Sequence, residues 1–490
     1  MPDNATAINA NNILENVSNL IEDIKKAAEE GQAAHHVEQS IFKFLLQMGL
    51  QLLTLFFQTA GMGNEGEFVD KGEKGGKLVR FSKPAIKRYC SIFGDIMIPR
   101  WVYGKRVGQK VEYRPLDAKL KLPAEDKSYL IQEWSQSLAT RVPYDEVNGI
   151  LGMILNLSFS THTLKRGNQK LSQSVTDFHK DHPAAPVAKD QEIIVSSADG
   201  KGVPMRTGNK KMSLVASVYT VAPHVRTAEE IVSALFDQDA EITSQKKRPS
   251  PIEKRVRATL ERDEEGTMQP SMKAMFNWIS TEIEQRDPDN IQPHIFLMDG
   301  QASLWEEAEK RKPEGYKTIE ILDLLHATGY LWKAAEQFHD LAEKRNYFVR
   351  FYTTILLKGH IDEVISSLEM LADEQNLKAD SRKELGKVCT YFKNNRKRMR
   401  YDQYLKAGYP IASGVIEGAC RYVVKDRMER SGMRWTMEGA QSMLELRCIE
   451  LGDNWQNYMS FHIKKENKRL YGIDLNEAAN DEIFEFQLSA

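Results

Sequence analysis

Two aspartates in this chain, Asp199 and Asp299, each follow a short apolar run and precede a glycine. The runs read IIVSSADG at 193–200 and HIFLMDG at 294–300. An apolar run bounded by glycine reads as a buried strand. A carboxylate at the end of such a strand is costly to bury without a partner or a metal. Taken alone, Asp199-Gly200 reads as a hairpin turn. Taken together, the two acids can meet if their strands are neighbours in one sheet. A third acid, Glu417, lies in YPIASGVIEGACRYVVKDRM. It sits beside a helical stripe of Ile416, Ala419, Cys420 and Val423, and Ser413 is placed to cap that helix. Spacing alone favours a surface pair of Glu417 with Arg421, worth about a few tenths of a kcal/mol.

Three such acids suit one chemistry. Phosphodiester cleavage by two metal ions about 4 Å apart needs oxygen ligands that bridge both. Mg²⁺ takes carboxylates and keeps waters, so two aspartates and a glutamate suffice without His or Cys. Mn²⁺ can substitute. Asp199, Asp299 and Glu417 are therefore the candidate catalytic residues and the candidate metal ligands. The four cysteines, Cys90, Cys389, Cys420 and Cys448, form no CxxC pair, so a thiolate zinc site is not expected.

The strands that must position these acids are expected at 193–199, 213–221, 294–298 and 318–322, with a faint further strand near 224–227. Helices are expected at 271–286 and 302–312. An early strand carrying the first acid, a hairpin-type strand, then the strand of the second acid is the order of an RNase H-like core. In that core the first and fourth strands are parallel neighbours. The expected fold class is α/β: an RNase H-like mixed sheet with a helical insertion, preceded by a mainly helical N-terminal DNA-binding region.

The expected boundaries are 1–60 for N-terminal helices, 61–122 for a small β-rich segment and 123–174 for a helical, helix-turn-helix-like region. The core takes 192–339 and 408–450, a helical insertion 340–407, and a C-terminal helical tail 451–490. Residues 175–191 read as a Pro/Ala linker, and 61–76 as a loop. Its GMGNEG follows a helix rather than a strand, which excludes a dinucleotide site. In 123–174, helices at 144–155 and from 160 to 171 flank a turn. The second carries Thr161, His162, Thr163, Lys165, Arg166, Asn168, Gln169 and Lys170, donors suited to phosphate and groove contacts. An ordinary helical hairpin has the same pattern.

Four runs carry a family resemblance: SADGKGV at 197–203, FLMDGQASLW at 296–305, ILDLLHATGYLW at 321–332, and YPIASGVIEGACRYVVKDRMERSGMRW at 409–435. They resemble DDE transposases of bacterial insertion sequences, in particular the ISKra group. The likeness covers roughly residue 199 to the end and, more loosely, the upstream helical region. The last run, SGxIEGxCR followed by a basic helix and GMRW, is the most specific. On this resemblance Asp199, Asp299 and Glu417 take the three acid positions. Asp323 and His326 resemble the (C/D)xxH signature of Mutator-like and hAT-type transposases, which implies that His326 contacts DNA or supports the active site. An N-cap aspartate with a histidine one turn on gives the same letters. The insertion 340–407 falls where those families carry one.

The implied activity is binding of the mobile element's terminal repeats, then strand cleavage and transfer with two Mg²⁺ ions. The implied partners are double-stranded transposon-end and target DNA, and a homo-oligomer, at least a dimer when ends are paired. Arg396 and Arg398 end the insertion; Arg421, Lys425, Arg430 and Arg434 follow the glutamate, with Trp435 available to stack on an unpaired base. Two readings from other classes remain: a catalytically silent, transposase-derived DNA-binding protein, and an RNase H-like nuclease without strand transfer.

The 490 residues allow roughly three domains. A net charge of −2 argues against a protein basic all over, and a local basic face is enough for DNA. The helix at 37–59 is apolar nearly all round, so burial in the core is expected slightly ahead of an oligomer contact. Its most apolar stretch, 44–57, carries Gln47 and Gln51 and is too short to span a membrane. No signal peptide is evident. A cytoplasmic, nucleoid-associated protein with no membrane partner is expected.

Overall fold

Ile193, Ile194 and Val195 begin the strand on which the larger part of the molecule is built, and all three are buried. In the computed structural model the described residues are 9–71, 76–187, 192–237, 248–260 and 270–472. The expected tail beyond 472 lies outside them. The chain is mixed α/β and divides into two units, residues 1–170 with 456–490, and residues 171–455.

The first unit opens with helices Ala10–Glu29 and Ala34–Ala60. Strands β1 (Phe68–Asp70), β2 (Lys77–Arg80), β3 (Ala85–Ser91), β4 (Gly94–Arg100) and β5 (Tyr103–Gly104) follow. β3 and β4 pair antiparallel. Helices Tyr129–Arg141, Tyr144–Leu155 and Thr161–Ser172 come next, around Ile131, Val147, Leu151 and Leu164. The turn after Tyr144–Leu155 is made by Asn156 in the left-handed region, and Asn148 brackets Phe159 with bonds to its amide and carbonyl. Asn168, expected on the donor-rich face, is buried instead. Helix Trp455–Tyr471 joins this unit through Tyr471, which donates to the Leu122 carbonyl.

Helix Ala34–Ala60 corrects the expectation of burial in the core. Phe57 alone is buried on it, while Phe42, Leu45, Leu52 and Phe56 are exposed. Among the described residues it is one helix long and apolar enough to cross a membrane by length and composition.

The second unit is a five-stranded sheet with helices on both faces. Its strands are β6 (Ile193–Pro204), β7 (Lys210–Val221), β8 (Ile252–Leu260), β9 (His294–Met298) and β10 (Thr318–Leu322), in the order β10-β9-β6-β7-β8. β10, β9 and β6 run parallel; β6, β7 and β8 are an antiparallel meander. Three corrections follow. The strand after β7 is β8 and not 224–227, which is irregular and leads into helix Ala228–Phe236 through a Thr227–Glu230 capping box. β6 does not stop at Asp199 but continues to Pro204 as one arm of a long hairpin. The first half of the expected linker is a helix, Val175–Asp181, that buries Val175 and Phe178.

Alternation along the strands sorts side chains between the two faces. Ile193, Val195, Ile295, Leu297 and Ile321 pack with helices Leu324–Phe338, Ala342–Leu357, Ile361–Glu374 and Ala379–Asn395. Ile194, Ala198, Phe296 and Met298 pack on the other side, against Met275, Phe276, Ile279, Leu304 and Trp305 of helices Pro270–Arg286 and Ala302–Arg311. The inserted helices therefore share the core of the sheet. Leu297→Ala should cost about 2–5 kcal/mol in chemical denaturation, as for other buried leucines. Phe56→Ala should cost less than about 0.5 kcal/mol; a large loss there would mean the helix is buried after all.

Candidate metal centre

Register brings the aspartates together. β6 and β9 pair Ile194 with His294 and Ser196 with Phe296. The pairing ends three residues before either aspartate, and Asp199 and Asp299 follow it at the same offset on neighbouring strands, near enough for the Asp199 charge to act on Asp299. β9 and β10 pair His294 with Thr318 and Met298 with Leu322. Continued by one residue, this register sets Asp299 beside Asp323. Asp299 and Asp323 thus lie just past the carboxyl ends of β9 and β10, the usual place for a ligand in such a sheet, with Asp199 midway along β6. Among the described residues the expected set of Asp199, Asp299 and Glu417 does not bring its ligand atoms within 4.8 Å of one another. By alternation, Asp199 and Asp299 face the side of Val195 and Leu297.

Each aspartate is held by neighbouring donors. The Gly200 amide donates to Asp199 Oδ1 at 2.7 Å, and the Gln301 amide to Asp299 Oδ1 at 2.9 Å. Asp323 is fully buried. It caps helix Leu324–Phe338 by accepting from the Leu325 amide at 2.7 Å, and its other oxygen accepts from the Ser413 hydroxyl and amide. Ser413 was expected to cap the helix of Glu417. Its hydroxyl instead goes to Asp323, and no side-chain bond caps helix Gly414–Ala419. The Leu324 amide donates to the Ile411 carbonyl at 2.8 Å, so three bonds fix the segment that presents Glu417.

Glu417 comes to Asp323 and His326. Its carboxylate, that of Asp323 and the His326 ring offer ligand atoms that lie within 4.8 Å of one another. Glu417 and His326 remain open to solvent. Arg421 turns to Asp426 at 3.7 Å. The stripe of Ile416, Ala419, Cys420 and Val423 is buried as expected, and the helix widens into a π-helix over Cys420–Lys425. Such widening recurs at functional sites.

The charges act on one another. Burial raises the Asp299 carboxyl above its usual range; the Gln301 amide and His326 oppose this, while Asp199 and Asp323 add to it. Loss of hydration raises Glu417 as well, with Asp323 and Asp199 adding and His326 opposing. The Cys420 thiol is pushed up by burial, by the Asp199 charge and by its hydrogen bond to Asp199. All five candidate groups therefore belong to one electrostatic cluster.

Two residues of this neighbourhood carried no sequence signal. Tyr391, from the inserted helix Ala379–Asn395, stacks on Tyr330 with ring centroids 3.6 Å apart. Its ring lies so close to Gly300 that a Cβ there would come within 2.2 Å of it. Gly200 and Gly202 have a similar role: a Cβ on each would meet Met212 or Lys210 of the paired strand at 3.1 Å.

The expected DNA contacts divide. Lys425, Arg430 and Arg434 are exposed on the segment after Glu417, and Arg166 is exposed on helix Thr161–Ser172. Lys165 is half-buried there. Arg396 pairs with Asp362 at 2.9 Å. Arg398 is committed to the fold, donating to Glu320 at 2.6 Å with its guanidinium over the Trp305 ring. Trp435 is not available for stacking. It is buried, donates its indole N–H to the Met428 carbonyl at 2.9 Å, and pairs its backbone with Pro204 and Arg206.

Compared with known proteins, the chain matches no family model and no curated protein.

A carboxyl that binds its proton more tightly in the folded than in the unfolded chain loses stability as pH rises through the carboxylate range. Asp299→Asn keeps the acceptor for Gln301 and removes one charge. Its melting temperature should exceed that of the unaltered protein at pH 7, and the gain should vanish as pH falls below the carboxylate range. An equal or lower melting temperature at pH 7 would mean that the acids do not repel.

Proposed function

We propose that the chain is a DDE-type transposase that cleaves and transfers DNA strands at the ends of its own mobile element. The acid row of Asp199, Asp299 and Asp323, with Glu417 and His326 beside Asp323, carries this reading. The β10-β9-β6-β7-β8 order, with the first and fourth strands of the sheet parallel, supports an RNase H-like core.

The donor set fits hard divalent cations. It is rich in carboxylate oxygen, free of thiolate ligands, and repels itself without a cation. Asp199, Asp299 and Glu417 would hold two Mg²⁺ ions, and His326 at the edge suits Mn²⁺ as a substitute. Such ions, when bound, supply activation of a water or 3′-hydroxyl and stabilisation of the leaving oxygen.

The chain's own residues do the rest. Asp323, buried and bonded to Ser413, positions Glu417 rather than facing solvent itself. His326 is open beside Glu417 and can donate to a phosphate oxygen. Lys425, Arg430 and Arg434 offer phosphate contacts after the third acid. Helices Tyr144–Leu155 and Thr161–Ser172 are the proposed reader of the terminal repeats, through Lys165 and Arg166. Paired ends require an oligomer, and the exposed apolar side of Ala34–Ala60 is compatible with self-association.

Asp199→Ala should lower Mg²⁺-dependent cleavage of element-end DNA by about 10²-fold or more, with binding of the same DNA largely kept. Undiminished cleavage would exclude the assignment. Joined product from the unaltered protein separates a transposase from a nuclease that only cuts.

A further inference from the structure

The first unit contains a cleft of about 570 Å³ that the acid row does not involve. It lies between the end of β3, residues 124–127 and the start of helix Thr161–Ser172. Lys127 lines it and is only 8% exposed. Its Nζ lies 4.5 Å from the centre of the Phe159 ring and makes no hydrogen bond to any described residue. Burial holds this ammonium below the usual lysine range, with Glu125 opposing. A lysine so placed needs a reason, because a buried cation without an acceptor is costly.

The helix start supplies the second half of a site. Ser160 Oγ accepts from the Thr163 amide at 3.1 Å and pairs with the Thr163 hydroxyl at 2.8 Å. The Thr161 and His162 amides then have no acceptor within the helix. Free amides and the positive end of the helix dipole favour an anion. Arg166, one turn on, lines the same cleft. Of the carboxylates there, Glu125 lies 3.4 Å from Lys170 and 3.9 Å from Arg166, so its charge is matched, while Asp126 is exposed.

We propose that this cleft binds a phosphate group, held by Lys127, Arg166 and the first-turn amides of helix Thr161–Ser172. The phosphate is either a backbone diester of DNA or a free phosphate or monoester. The site stands on its own geometry and would survive failure of the transposase reading.

The test titrates the full chain separately with inorganic phosphate and with duplex DNA of arbitrary sequence. Lys127→Met keeps the apolar stem against Phe159 and removes the charge. It should weaken phosphate binding about tenfold or more, the scale of a charge-assisted hydrogen bond, without lowering the melting temperature in phosphate-free buffer. Weakened DNA binding as well assigns the phosphate to the DNA backbone; weakened phosphate binding alone assigns it to a free ligand. If Lys127→Met does not fold, the unaltered chain and Arg166→Gln are melted in low-millimolar phosphate against chloride of equal ionic strength. A rise with phosphate that Arg166→Gln reduces supports the site. Unchanged phosphate affinity in Lys127→Met, or no phosphate-dependent rise in the unaltered chain, overturns it.

Discussion

Like charges held side by side are the constraint on which the second unit depends. Parallel pairing of β6, β9 and β10 directs Asp199, Asp299 and Asp323 to the same end of the sheet. A slip of one residue would turn every side chain of a strand to the opposite face and empty both cores. The apolar runs 193–198, 294–298 and 321–322 are buried, so the repulsion cannot be relieved by sliding. It is offset locally instead. Backbone amides of Gly200, Gln301, Leu325 and Ser413 donate to the three carboxylates. Hydrogen bonds to the charged form favour it, yet Asp299 and Glu417 still hold protons more tightly than usual. What remains unbalanced is the attraction for a cation.

The helical insertion belongs to this arrangement. Its helices bury Phe348, Leu356, Leu368 and Phe392 in the same core as Val195 and Leu297. Tyr401, fully buried, donates to the Leu322 carbonyl at 2.9 Å, one residue before Asp323. Tyr391 closes over Gly300. The insertion thus backs the strand ends that carry the second acid and Asp323. The chain then passes through Ile411 and Ser413, both bonded to the Asp323 corner, and delivers Glu417.

Much of this was legible in the sequence where one local signal dominates. The run HIFLM is strand β9, because a parallel strand buried on both faces is apolar throughout, and TIEIL is β10, an edge strand that buries only Ile321 and Leu322. β8 escaped notice for the opposite reason. It is an edge strand whose charged half, IEKR, faces solvent, and only Val256, Ala258 and Leu260 are buried. Asp323 was visible as a helix cap, and it is one; its place in the row depends on β9–β10 register, which no local pattern states. Trp435 and Arg398 were misread because exposure depends on what distant strands bring to them. Helix Ala34–Ala60 shows the same limit, since an apolar pattern does not say what covers it.

The central claim is that the acid row is a cation site, and its most direct measurement is Mn²⁺ titration of the full chain by calorimetry. Two ions per chain are expected in a two-metal site, with binding lost or reduced to one weak ion in Asp299→Asn. Absence of Mn²⁺ binding, or binding that Asp299→Asn leaves unchanged, would contradict the account.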